Sequence, residues 1–138
     1  MNAIDYIRYL PIFIDGIREK EDPYRFIAVE ATCDLIDHAS GTDKIVATIP
    51  HIMAPLKAAT NTRDPPIIKL AAQIIIMLLN THALVAPSLV PYLRSLLSTF
   101  ALFKDDVVMT MIDLIKENGG PNAYAAIKSV MPTFERHE

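Results

Sequence analysis

Side chains able to do chemistry are few in this chain and stand far apart. The one cysteine, Cys33, has no second thiol with which to form an internal disulfide, a Cys-x-x-Cys redox pair or a zinc clasp. It stands in the apolar rhythm Val29, Cys33, Ile36, which suits a small buried hydrophobe; a reactive thiol is the competing reading. The four histidines, His38, His51, His82 and His137, have no other His or Cys at metal-ligand spacing, so no zinc site is expected. The only glycines are Gly16, Gly41, Gly119 and Gly120, and none opens a helix after a strand, which excludes a Gly-rich phosphate loop. Asp105-Asp106 could hold a proton or a cation, yet at the head of an apolar run the pair reads as a helix cap. The five serines form neither a nucleophile elbow nor a Ser-x-x-Lys pair. These residues point to no catalytic group, cofactor, metal or small-molecule substrate, although a site assembled across the fold needs no linear motif.

Charge is the stronger signal. Residues 1–43 hold nine acids against four bases, residues 44–104 hold six bases (Lys44, Lys57, Arg63, Lys69, Arg94, Lys104) against Asp64 alone, and residues 105–138 hold six acids against three bases. A net charge of −3 thus conceals a basic middle between acidic ends, able to attract an acidic macromolecular surface. Bases on the solvated sides of helices are the competing reading. Nucleic acid is not the expected partner: the middle segment offers only Tyr92, Phe100 and Phe103 as stacking platforms, and the sequence pI is near 5.8.

The residues that could meet such a surface are Lys57, Arg63 and Lys69, around the stretch Lys57-Ala58-Ala59-Thr60-Asn61-Thr62-Arg63-Asp64. Charged side chains at the turn of a helical repeat face solvent and can reach a partner; ordinary solubility would place them there as well.

Positioning these side chains falls to helices. Acids stand before prolines or apolar runs at Asp22-Pro23, Asp64-Pro65 and Asp105-Asp106, as helix N-termini favour. Between them apolar residues recur at three and four, as in Tyr24, Ile27, Ala28, Ala31, Leu35 and in Ile68, Ala71, Ala72, Ile75, Leu79. The pattern predicts about seven helices, near 4–17, 23–39, 43–60, 65–80, 82–103, 106–118 and 121–134, with Gly119-Gly120 ending the sixth in a left-handed turn. Ile12, Phe26, Leu35, Ile52, Leu56, Ile75, Leu79, Leu93, Leu96, Phe100 and Ile127 are the expected core. With 138 residues and 51% apolar content, residues 1–138 suit a single domain that folds without disulfides or metals.

Leu10-Pro11-Ile12-Phe13 recurs as Ile49-Pro50-His51-Ile52, Val90-Pro91-Tyr92-Leu93 and Met131-Pro132-Thr133-Phe134, at offsets of 39, 41 and 41 residues. That is near the period of HEAT and armadillo units, whose stacked helix pairs bury a face neither could bury alone; an irregular bundle is the alternative. No apolar run approaches the ~18 residues of a membrane span. The start Met1-Asn2-Ala3-Ile4-Asp5 lacks the features of a signal peptide, so a cytoplasmic location is expected.

Six further stretches follow in order along the chain: Tyr9-Leu10-Pro11-Ile12-Phe13-Ile14-Asp15-Gly16, Pro23-Tyr24-Arg25-Phe26, Asp34-Leu35-Ile36-Asp37-His38, Pro55-Leu56-Lys57-Ala58-Ala59, Leu89-Val90-Pro91-Tyr92-Leu93-Arg94 and Asn118-Gly119-Gly120-Pro121-Asn122-Ala123. Together they resemble the parkin co-regulated protein family, including its shorter parkin co-regulated-like branch. The resemblance implies an all-α, HEAT/armadillo-like protein of ciliary and flagellar axonemes. It implies a structural rather than catalytic role, binding tubulin at the inner junction of doublet microtubules beside a small inner-junction protein or adaptor. On that view Lys57, Arg63 and Lys69 meet the microtubule. His38 matches a family position near the adaptor's docking segment, although a histidine at a helix C-terminus is also favoured by the helix dipole. Two other classes stay open: a general helical-repeat adaptor that holds a partner peptide or helix, and an enzyme with a cryptic site.

Overall fold

Tyr6, Leu10, Ile14 and Ile17 follow one another at three and four residues, and they form the buried face of α1 (Ala3–Asp15) and of the 3-10 turn that continues it. The computed structural model describes residues 3–18, 24–39, 44–100 and 106–130, and among them such faces recur from helix to helix. Helices α2 (Tyr24–Ala39), α3 (Lys44–Asn61), α4 (Pro65–Thr81), α5 (Val85–Leu89), α6 (Leu93–Phe100) and α7 (Asp106–Val130) follow, and among the described residues there is no strand. The all-α expectation is met.

Helix α1 packs on α2 and α3, α2 on α4, α3 on α4, α5 and α6, and α7 covers α4, α5 and α6. Helix α4 sits among these and buries Ile67, Ile68, Ala71, Ala72, Ile74, Ile75, Leu78 and Leu79, leaving Lys69 and Gln73 on a narrow wet edge. The polar pair is what tells this apolar helix which side is out. Buried hydroxyls are satisfied within their own helices: Thr32 Oγ1 donates to the Ala28 carbonyl at 2.7 Å and Thr48 Oγ1 to that of Lys44 at 2.9 Å. The 3-10 turn after α1 comes close to α2 at Gly16, where an added Cβ would lie 2.8 Å from the Ala28 Cβ.

Of the expected core, Leu35, Ile52, Leu56, Ile75, Leu79, Leu93, Leu96, Phe100 and Ile127 are buried. Ile12 and Phe26 are not; they expose 60% and 62% of their surface. Ile12 stands two residues from both Leu10 and Ile14, about 200° round the helix, so burying those two turns it outward. Phe26 is turned out in the same way by Ala28, which the close approach of Gly16 draws inward.

The helix expected over 82–103 is divided. Pro91 has no N–H to give the Pro87 carbonyl, so Val90 N–H takes it instead, and the chain tightens into a 3-10 turn over Val90–Tyr92 before α6 resumes. In α7 the expected break falls at Gly120, whose φ of 78° is positive as anticipated but whose ψ of −168° is extended rather than left-handed helical. Pro121 explains the ψ, because its ring excludes helical conformation from the residue before it. Asp64 occupies the N-cap position of α4 with extended dihedrals and Pro65 at the first helical position, as read from the sequence, but its side chain makes no capping hydrogen bond. Asp22, Asp105, Phe103 and Pro132 lie outside the described residues.

Candidate functional site

Helix α3 buries Leu56, Ala59 and Thr60 in its closing turns, which leaves Lys57 and Asn61 facing water. Residues 62–64 then connect α3 to α4, and because the two helices pack together, so short a connection folds α4 back along α3. Lys57 and Lys69 each stand four residues from their end of this connection, about 6 Å of helix rise. The fold therefore brings Lys57, Arg63 and Lys69 to one end of the α3–α4 pair, all three exposed.

The turn itself is closely tied. Thr62 N–H donates to the Ala59 carbonyl at 3.3 Å and Arg63 N–H to that of Thr60 at 3.2 Å, which satisfies carbonyls left over at the end of α3. Thr62 Oγ1 donates to the Ala59 carbonyl at 2.7 Å and accepts the Asp64 N–H at 3.3 Å, and Ile68 N–H closes on the Asp64 carbonyl at 3.0 Å. Arg63 holds a left-handed φ of 55°, and among the described non-glycine residues no other φ is positive. Glycine would ordinarily end a helix this way; an arginine there accepts about 1 kcal/mol of strain and carries a cation to the tip of the turn. The cations Lys57 and Arg63 also stand at the negative end of the α3 dipole.

His38 lies elsewhere. It is exposed in the last turn of α2, with Nδ1 3.0 Å from the Asp34 carbonyl, so Nδ1 carries the proton in that contact. Helix α3 starts after it, and 18 residues, or about 27 Å of helix, separate that start from the basic turn. The structure thus joins three of the four residues singled out and leaves His38 near the opposite end of α3.

Cys33 is half-buried rather than fully buried, with Sγ 3.6 Å from Met77 Sδ where α2 meets α4. Burial, and then the carboxylates of Glu30, Asp37 and Asp34, push its thiol above the ordinary range and keep it protonated, which is against a reactive thiolate. Among the described residues no group of three or more His, Cys, Asp or Glu could hold a metal ion, and no helix is long and apolar enough to cross a membrane. One surface went unread in the sequence: a groove between α1 and α3 lined by Pro11, Ile12, Asp15, Ala54, Pro55 and Ala58. Its signal was present, since Ile12 is out of phase with Leu10 and Ile14.

Fold and surface together define an all-helical protein that presents a basic, tightly bonded turn between two packed helices. The chain belongs to the Parkin co-regulated protein family, whose model matches residues 1–136. It is similar to the Parkin coregulated gene protein homolog of Mus musculus, with 30% identity over 155 aligned residues covering 98% of this chain. The chain spans 64% of that relative's length.

Proposed function

We propose that the protein is a non-catalytic structural component of ciliary and flagellar axonemes that binds tubulin at the inner junction of doublet microtubules, with a small inner-junction protein or adaptor as a second partner. The observation that carries this reading is the α3–α4 turn, where Lys57, Arg63 and Lys69 are exposed at one end of a helix pair and Arg63 keeps a strained conformation. The backbone of the turn is already held by hydrogen bonds, so presenting these cations to an acidic wall such as that of a microtubule requires no ordering of the chain there. A HEAT/armadillo-like arrangement belongs to the same proposal. Its support is the order of packing, α1 on α3 and α3 on α6, α2 on α4 and α4 on α7, with Pro11 inside α1 and Pro50 inside α3. His38 is kept as an adaptor contact, apart from the tubulin-facing turn.

Co-sedimentation with taxol-stabilised microtubules tests the proposal. Binding should fade as ionic strength rises, because exposed charges are screened within about 10 Å at 0.1 M salt. Charge reversal of Lys57, Arg63 and Lys69 together should weaken pelleting by about tenfold or more, equivalent to ~1.4 kcal/mol, with the thermal midpoint unchanged. Undiminished pelleting by a folded triple variant would remove this turn as the tubulin contact. Failure of the folded wild-type chain to pellet at any salt would remove the microtubule reading.

A further inference from the structure

The groove between α1 and α3 has a volume of about 430 Å³ and is lined by Pro11, Ile12 and Asp15 from one helix and Ala54, Pro55 and Ala58 from the other. Ile12 exposes 60% of its surface along it, and Ala54 is exposed as well. Among the described lining residues the charged one is Asp15, whose carboxylate forms an exposed ion pair with Arg18 at 2.6 Å. On α1 the exposed Arg8 precedes Pro11 and Ile12 by three and four residues and shares their face, its guanidinium 6.0 Å from the Tyr9 ring centroid. On α3 the exposed Lys57 follows Ala54 by three. An apolar trough thus has a cationic residue along each wall.

We infer that this groove receives an amphipathic helix from a partner protein, with an apolar ridge of Ala- and Leu-sized side chains and acidic residues on both flanks. Ala54 and Ala58, four apart, leave the shallow row into which a ridge of a third helix packs. Helices α1 and α3 present no strand edge for an extended peptide to pair with, whereas a helix satisfies its own backbone and needs only apolar contact and flanking charge. Acidic flanks complement Arg8 and Lys57, exposed cations beside the lining on the two helices, while the Asp15 carboxylate is engaged by Arg18.

The probe is a capped 18-residue helical peptide with Leu and Ala along one face and Glu on both flanks, titrated into the ¹⁵N-labelled protein; a twin peptide carries Lys in place of every Glu. The Glu peptide should shift the amides of Ile12, Asp15, Ala54 and Ala58, and the Lys twin should bind about tenfold more weakly. Ile12→Asp should weaken the Glu peptide about tenfold, and Arg8→Glu about threefold. If Ile12→Asp disturbs the fold, Ala54→Arg blocks the same groove from an exposed position and should give the same loss. No shift at these amides, an equal response to both peptides, or binding untouched by a folded groove variant would overturn the proposal. So would shifts of these amides on simple dilution without peptide, which would give the groove to a second copy of the chain.

Discussion

Helix α4 and the turn that leads into it are neighbours in the chain, yet different forces hold them. The helix removes Ile67, Ile68, Ile74, Ile75, Leu78 and Leu79 from water, and each such side chain contributes about 1.5–3 kcal/mol when fully buried. In the turn Thr62 and Arg63 are exposed, so order there comes from hydrogen bonds worth about 1 kcal/mol each net and from the proline that follows. The contrast separates two tasks. A partner cannot reach what α4 buries, while the turn offers charge on a backbone that needs no apolar cover.

The sharpest break between the two is expected at Ile75. Ile75→Ala should cost about 2–5 kcal/mol in urea unfolding, because a fully buried helix face cannot collapse around the cavity; a loss of a few tenths would show that α4 is not central. Thr62→Val, which deletes one bond to the Ala59 carbonyl and one from the Asp64 N–H, should cost about 1 kcal/mol in the same measurement. Arg63→Gly should move stability the other way, by about 0.5–1 kcal/mol of relieved backbone strain, while weakening microtubule pelleting. A destabilised Arg63→Gly would mean that the guanidinium holds the turn rather than being carried by it. Smallest of all is Phe26→Ala on α2: despite the size of the side chain, the thermal midpoint should shift by the equivalent of less than ~0.5 kcal/mol. A loss near 3 kcal/mol would put Phe26 in the core after all.

The same contrast governs how far these elements could be read ahead of the structure. Around α4 the apolar run is interrupted by Lys69 and Gln73, and Asp64-Pro65 marks its start, so extent, phase and exposed edge were all legible. In α2, apolar residues lie on several sides, and Phe26, Ile27 and Ala28 compete for one inward position. Periodicity names a helix there without saying which way it turns. Lys57, Arg63 and Lys69 were readable as a cluster because the connection between their helices is short, whereas the groove at Ile12 depends on two helices distant in sequence.

Local chemistry in the sequence therefore determined the helical class, most helix limits, the positive φ at Gly120 and the basic character of the α3–α4 turn, since propensity, proline geometry and charge act within a few residues. Tertiary structure alone decided that Phe26 rather than Ala28 faces water, that Arg63 takes a left-handed φ and that α1 and α3 leave a groove open between them. Each of these depends on which segments approach and how closely, and a close approach such as that of Gly16 to the Ala28 side chain arises between segments that the order of residues does not by itself bring together.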